Sequence, residues 1–252
     1  MAPTDRVACR FSIGGGWLPL VALWAVPTGL GAAGLLAVGL PTVGLGGVAL
    51  GGAVALAAIR VAAGRARESG GREPVTAATA VTILRASALA LLGAYLVVDP
   101  TATAAGGNGW LAGALFAVAA GGDAVDGAVA RATDAVTELG AELDVEVDGA
   151  TVLVGAAVAV VAGAAPVVFL AVGLARPAFA YGLRRRRRRG LPTHDLRPSR
   201  LRRPIGAATM LATWLALSPV PGEGASRLFA AAVTVPVVAS FVRDWLVASG
   251  RL

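Results

Sequence analysis

Apolar stretches close to 20 residues long recur along the whole chain, and they constrain its fold more than any other feature. A helix needs about 20 apolar residues to cross the hydrocarbon core of a bilayer. The runs lack the apolar–polar alternation of a membrane β-barrel, and only 15% of the 252 residues are charged, against about 25% in ordinary soluble domains. We therefore predict an all-α, polytopic transmembrane helical bundle. Eight spans are predicted, at residues 17–39, 42–61, 79–98, 109–131, 142–163, 166–183, 205–220 and 227–247.

Arginine accounts for all 22 basic residues, and its distribution predicts the orientation of the chain. Arginines precede the first predicted span, follow the second and the sixth, and end the chain, whereas the alternate connections contain none. Arginine-rich loops of membrane proteins stay in the cytoplasm. With eight spans, every such loop lies on the cytoplasmic side of the plasma membrane. Because the arginines lie between apolar segments, above all at 184–189, the net charge of +7 predicts anionic membrane lipids as partners and no nucleic acid.

Eight of the fifteen carboxylates lie within residues 123–148, directly after an apolar run. Acids in or beside a bilayer are costly unless they are satisfied, so they usually mark a functional site. Asp123 and Asp126 are three residues apart, and Asp144 and Asp148 are four apart, so each pair shares a helix face. We predict that two helices direct these carboxylates at a common point, where they bind hard divalent cations. The other acids of the segment are expected on a solvated helix end and loop: Asp134, Glu138, Glu142 and Glu146.

Three functions are compatible with this segment. Four carboxylates can hold two divalent ions that stabilise a displacement at phosphorus, while Gly127 and Gly140 would let a nucleotide approach the backbone and Arg131 would pair with phosphate. A cation transporter could use the same carboxylates as its ion site, on discontinuous helices near the bilayer midplane. A non-catalytic scaffold could instead bind anionic lipid through its arginine loop. Clustering at one membrane face favours the enzyme.

The spacing of the acidic segment resembles the signature of a known family. The segment reads Asp123-x-x-Asp126-Gly127-x-x-Ala130-Arg131, then eight residues, then Gly140-x-x-x-Asp144-x-x-x-Asp148. All eight positions match the signature of the membrane-integral, class I CDP-alcohol phosphatidyltransferases. A weaker similarity runs from about Thr76 to the last span, and Val81-Thr82-Ile83-Leu84-Arg85 resembles the opening of the first core helix of the family. Thr79 stands where the family often has an asparagine.

The resemblance implies a homodimeric six-helix core in residues 76–252. An N-terminal transmembrane hairpin and a cytoplasmic linker, residues 1–75, precede this core, and the hairpin is expected to pack through small residues. The implied enzyme transfers the phosphatidyl or archaetidyl group of a CDP-lipid to a polar alcohol in phospholipid synthesis and releases CMP. It would require two Mg²⁺ or Mn²⁺ ions.

Site residues are also implied by the resemblance. The metal ligands would be Asp123, Asp126, Asp144 and Asp148. Asp148 would also act as the general base for the acceptor hydroxyl. Residues lining the CDP site would be Thr82, Gly127, Ala130, Arg131 and Gly140.

The segment before the seventh span predicts a phosphorylated acceptor. Pro198-Ser199-Arg200-Leu201-Arg202-Arg203 is similar to a family segment that often reads Pro-Ser, two residues, Gly-Lys, so that two arginines replace Gly-Lys here. Family members that use glycerol 3-phosphate or inositol phosphate place basic residues around this loop. Arg176 is a costly charge inside the sixth span. We expect Arg176, Arg202 and Arg203 to bind the acceptor phosphate, and His194, the only histidine, to lie in a solvated loop.

Overall fold

The protein is built from α-helices. A computed structural model describes residues 18–68, 75–98, 109–121, 137–194, 196 and 201–251, and within these residues there is no strand. Two short 3₁₀ turns occur at Gly93–Leu96 and Val167–Phe169. The predicted all-α polytopic helical fold is confirmed. The helices are α1 (Leu18–Ala37), α2 (Gly44–Glu68), α3 (Ala77–Leu92), α4 (Leu111–Gly121), α5 (Glu138–Val161), α6 (Leu170–Arg188), α7 (Arg202–Ala216) and α8 (Glu223–Ala248).

Five helical segments of the described chain are long and apolar enough to cross a membrane. They are α1, α2, α3 with its following turn, α6 with its preceding turn, and α8. Each of the eight predicted spans overlaps one helix, although α5 begins at Glu138, four residues before its predicted start. The acids in the first half of α5 make it too polar to count among the apolar helices, and α7 has only 15 residues. The helices indicate a membrane protein.

The chain divides into two compact units, and the first comprises residues 1–94 and 117–150. In this unit α1 and α2 both pack on α3. A Cβ on Gly51 of α2 would lie 2.8 Å from the carbonyl oxygen of Ala90, and a Cβ on Gly47 would meet the carbonyl oxygen of Gly93. The indole Nε1 of Trp24 donates to the carbonyl of Ala86 at 3.2 Å. Glycines of α2 therefore permit a close approach to α3. The N-terminal hairpin as a separate element and the domain boundary after residue 75 stay predictions.

The second unit comprises residues 95–116 and 151–252, and glycines again permit close packing. A Cβ on Gly155 of α5 would lie 2.6 Å from the ring of Phe116 and 2.8 Å from the Thr213 methyl group. Between α6 and α8, the rings of Phe179 and Trp245 meet edge to face with centroids 6.2 Å apart. Helices of this unit therefore approach one another through small residues and are fixed by aromatic contacts.

A larger residue at the α2–α3 contact should destabilise the protein. We expect Gly51→Ala to lower the free energy of unfolding by about 1–3 kcal/mol, because the new methyl group would press on the α3 backbone. Gly64→Ala is the control, since nothing lies within 4 Å of its added Cβ. The measurement is the apparent Tm in detergent, followed by tryptophan fluorescence. Equal Tm values for the two variants would contradict the tight contact.

Candidate active site

Arg85 is a buried cation near the middle of α3, and within the described residues acceptors on α4 and α5 contact it. Its side chain is only 2% exposed. Nε donates to the carbonyl oxygen of Ala119 on α4 at 2.9 Å. Nη1 donates to Oδ1 of Asp144 and Nη2 to Oδ1 of Asp148. An unpaired buried cation would cost several kcal/mol, so the two carboxylates of α5 are what make this arginine tolerable inside the helical unit.

The start of α5 fixes where its carboxylates lie. The backbone N–H of Gly140 donates to the hydroxyl of Thr137 at 3.1 Å, which caps the helix. Glu138 adds a negative charge to the first turn, where the helix dipole favours it. Asp144 and Asp148 then follow one turn apart on the face that meets Arg85, as predicted from their spacing. Their side chains are 28% and 30% exposed, so the carboxylates remain accessible.

The start of α3 lies beside the start of α5. The hydroxyl of Thr76 accepts from the backbone N–H of Thr79 at 3.2 Å and caps α3. Thr79 is fully buried, and its hydroxyl would lie 3.8 Å from a Cβ on Gly140. Thr82 is 2% exposed and lies one turn before Arg85 on the same helix. Two predicted CDP-site residues therefore lie close to the Arg85 contacts. Thr82 is about one turn before Arg85 on α3, and Gly140 is one turn before Asp144 on α5.

Gly140 also has a local structural reason to be a glycine. A Cβ there would lie 3.0 Å from the Thr137 hydroxyl, closer than most Cβ contacts. That hydroxyl is the cap of α5. A side chain at residue 140 would therefore displace the cap that positions the acidic turns, in addition to any effect on a bound nucleotide.

Five of the eight predicted signature positions lie outside the described residues. These positions are Asp123, Asp126, Gly127, Ala130 and Arg131. The helix that leads to them, α4, is described as far as Gly121, two residues before Asp123. Among the residues that the structure describes, no group of three or more metal-ligating side chains comes together. The four-carboxylate metal site therefore stays a prediction.

Glu142 and Glu146 are not simply solvated, and that expectation was wrong for them. Nη1 of Arg65, in the last turn of α2, lies 3.1 Å from Oε2 of Glu142 and 2.7 Å from Oε1 of Glu146. The three side chains are 31%, 35% and 18% exposed, respectively. The side chain of Glu138, by contrast, is exposed as expected, and Asp134 lies outside the described residues.

The three arginines predicted to bind the acceptor lie in the second unit, in different surroundings. Arg202 forms a forked ion pair with Asp244 of α8, with Nε to Oδ2 at 3.1 Å and Nη2 to Oδ1 at 3.0 Å. Arg203 is exposed at the start of α7, and Arg176 is half-buried on α6. His194 is exposed, as predicted, and its backbone N–H donates to the carbonyl of Ala248 at 3.1 Å. The pairing with Asp244 was not predicted.

The fold and the site together define a helical membrane protein with paired carboxylates next to a buried arginine. A comparison with protein-family models finds a match to CDP-alcohol phosphatidyltransferase over residues 75–246, more than half of the chain. The chain belongs to the CDP-alcohol phosphatidyltransferase family and is a transferase of phospholipid synthesis. Comparisons with curated proteins and with solved structures gave no match.

Replacing Arg85 should destabilise the first unit. We expect Arg85→Gln to lower the free energy of unfolding by about 3 kcal/mol, because both carboxylates would lose the cation that offsets their charge. Arg85→Lys keeps the charge but loses the fork, so it should fall between the wild type and the glutamine variant. The measurement is the apparent Tm in detergent, with Arg227→Gln, at an exposed arginine of α8, as control. A Tm for Arg85→Gln equal to that of the control would refute a stabilising role.

Proposed function

We propose that this protein transfers the phosphatidyl or archaetidyl group of a CDP-lipid to a polar, phosphorylated alcohol, such as glycerol 3-phosphate or inositol phosphate, and releases CMP. The observation that carries the proposal is the pairing of Asp144 and Asp148 on one face of α5, both against Arg85, inside the family-matched residues. A transporter would be expected to place its acids on discontinuous helices. The unbroken course of α5 from Glu138 to Val161 favours the enzyme.

The described residues fit a divalent-metal site. Asp144 and Asp148 offer hard oxygen donors one turn apart, and Oδ1 of each accepts a hydrogen bond from Arg85. A carboxylate has two oxygens with about four lone-pair directions, so the same group can accept from a guanidinium and bind a cation. We propose that these two residues, with Asp123 and Asp126, hold two Mg²⁺ or Mn²⁺ ions. When bound, the ions would neutralise pyrophosphate oxygens and stabilise the charge that develops during displacement.

The transfer exchanges one phosphorus–oxygen bond for another. The acceptor hydroxyl oxygen attacks the phosphorus that carries the lipid, and the bond from that phosphorus to the bridging oxygen breaks. CMP departs with the bonding electron pair. The hydroxyl proton passes to the carboxylate of Asp148, which must lie within hydrogen-bond reach of the acceptor. Residues of the helix starts, Thr82 and Gly140, would line the nucleotide side together with Gly127, Ala130 and Arg131.

In this scheme Arg85 is a positioning residue. Its planar guanidinium has fixed donor directions, so the contacts of Nη1 and Nη2 restrict the rotamers of Asp144 and Asp148. Nε of Arg85 also donates to the carbonyl of Ala119, so the same side chain contacts α4, the helix that precedes Asp123 in the sequence. A base and a metal ligand held in place before substrate arrives lose less conformational entropy when the reaction begins.

The orientation and assembly of the enzyme follow the same proposal. Basic residues end α2 and α6, where they also complement the helix dipoles. They support a cytoplasmic location of these ends at the plasma membrane, because arginine-rich segments stay in the cytoplasm. The active site would then face the cytoplasm. The arginine-rich end of α6 would bind anionic membrane lipids. We expect the enzyme to be a homodimer, as the family resemblance implies.

Neutralising either described carboxylate should abolish the reaction. We expect Asp148→Asn to lower CMP release at least about 100-fold, because an amide cannot accept the hydroxyl proton, and Asp144→Asn to cause a similar loss through the metal site. The assay is Mn²⁺-dependent release of CMP from CDP-diacylglycerol and CDP-archaeol in membranes. Glu138→Gln, an exposed acid of the same helix, is the control. Full activity of Asp144→Asn would favour the non-catalytic scaffold instead.

Arg202 and Arg203 should contribute to binding of the acceptor alcohol and not to binding of the CDP-lipid. We expect neutralising Arg202 and Arg203 together to raise the acceptor KM about tenfold or more, since a lost charge-assisted hydrogen bond costs about 1.5–3 kcal/mol. Steady-state kinetics with glycerol 3-phosphate or inositol phosphate varied separately from CDP-lipid give this value. Arg203→Gln alone isolates the exposed arginine, whereas Arg202→Gln also breaks the ion pair with Asp244. Unchanged kinetics in the double variant would remove both arginines from the site.

A further inference from the structure

The end of α2 lies next to the start of α5, although α2 precedes the family-matched residues 75–246. Gly47 of α2 meets Gly93, and Gly51, one turn later, meets Ala90, one turn earlier on α3. The two helices therefore run antiparallel. The last turns of α2 consequently lie toward the start of α3, where Thr79 approaches Gly140 of α5.

Arg65 uses this position to contact α5. A single nitrogen, Nη1, meets the carboxylates of Glu142 and Glu146, which lie one turn apart. Partly exposed ion pairs contribute little to stability, and these side chains are only partly buried. The consequence of the contact is geometrical, because one cation that bridges two successive turns restrains rotation of the helix about its axis.

The two acid pairs of α5 alternate along the sequence, in the order Glu142, Asp144, Glu146, Asp148. Residues two apart on an α-helix are rotated by about 200°. The glutamates therefore lie on nearly the opposite side of α5 from the aspartates. Arg65 of α2 holds the glutamate side, and Arg85 of α3 holds the aspartate side.

We propose that Arg65 is a positioning residue of the active site: the accessory helix α2 sets the rotation of α5, and thereby the direction in which Asp144 and Asp148 are presented. A rotation by one residue would turn these carboxylates by about 100°. The N-terminal helices thus contribute to metal binding without touching substrate. This inference rests on the proposed function, because it assumes that the two aspartates bind metal.

The test compares Mn²⁺ binding by purified wild-type protein, Arg65→Gln and Arg227→Gln, measured by electron paramagnetic resonance of free Mn²⁺. Arg227→Gln is the control, since it removes the same charge from an exposed arginine of α8. Partners that orient metal ligands typically change metal affinity 10–100-fold, so we expect Arg65→Gln to weaken Mn²⁺ binding about tenfold and Arg227→Gln to leave it unchanged. The Mn²⁺ concentration for half-maximal CMP release should rise by the same factor.

A second variant breaks the contact from the α5 side. Glu142→Gln combined with Glu146→Gln should weaken Mn²⁺ binding as Arg65→Gln does, and Arg65→Lys should restore part of the affinity, because a lysine can still bridge the two glutamates. Wild-type Mn²⁺ affinity in both Arg65→Gln and the double glutamine variant would overturn the inference while leaving an active enzyme in place. Mn²⁺ binding without CMP release in the wild type would overturn the proposed function alone. Wild-type protein that binds no Mn²⁺ would overturn both.

Discussion

The contact between the buried guanidinium of Arg85 and the two aspartates of α5 is the interaction on which the rest of the site depends. Two carboxylates one turn apart repel each other, and the repulsion is stronger where water is scarce. A cation between them offsets that repulsion and satisfies its own buried donors. The same side chain donates a hydrogen bond to the carbonyl of Ala119 on α4. Three helices of the first unit are thereby joined through one residue.

Helix α5 combines two different environments along its length. Its first half carries Glu138, Glu142, Asp144, Glu146 and Asp148, whereas the half that follows is apolar and includes buried Val154 and Val158. The polar half is satisfied on two sides by arginines from α2 and α3. The apolar half packs in the second unit through Gly155. A single continuous helix therefore carries ion-paired acids in its first half and close apolar packing in its second.

The helices could be predicted from the sequence because the length of an apolar run is a local property. The start of α5 was predicted four residues late, since Thr137 and Glu138 are polar and hydropathy does not register a helix cap. The roles of Arg85 and Arg65 were missed because the partner of a charge is not a local property. A signal was present, however: an arginine inside the apolar run of α3 requires an acidic partner.

The motif spacing predicted the shared face of Asp144 and Asp148, because four residues make about one helical turn. The part of the motif that contains Asp123 and Asp126 lies outside the described residues, so the shared face of these two acids stays a prediction. The forked pair between Arg202 and Asp244 was not foreseen, since the two residues lie more than 40 positions apart on different helices. Spacing within one helix can be predicted from a sequence, whereas contacts between helices depend on the fold.

The charge pattern of α5 has a consequence for biosynthesis. A carboxylate at the centre of a helix adds about 2.5–3.5 kcal/mol to the free energy of insertion by the translocon, so the acidic half of α5 is a poor substrate for insertion on its own. The helices that supply Arg65 and Arg85 are translated earlier. Their guanidinium groups are therefore already present when α5 emerges from the ribosome, and chain order favours co-translational pairing of the acids as they enter the lipid.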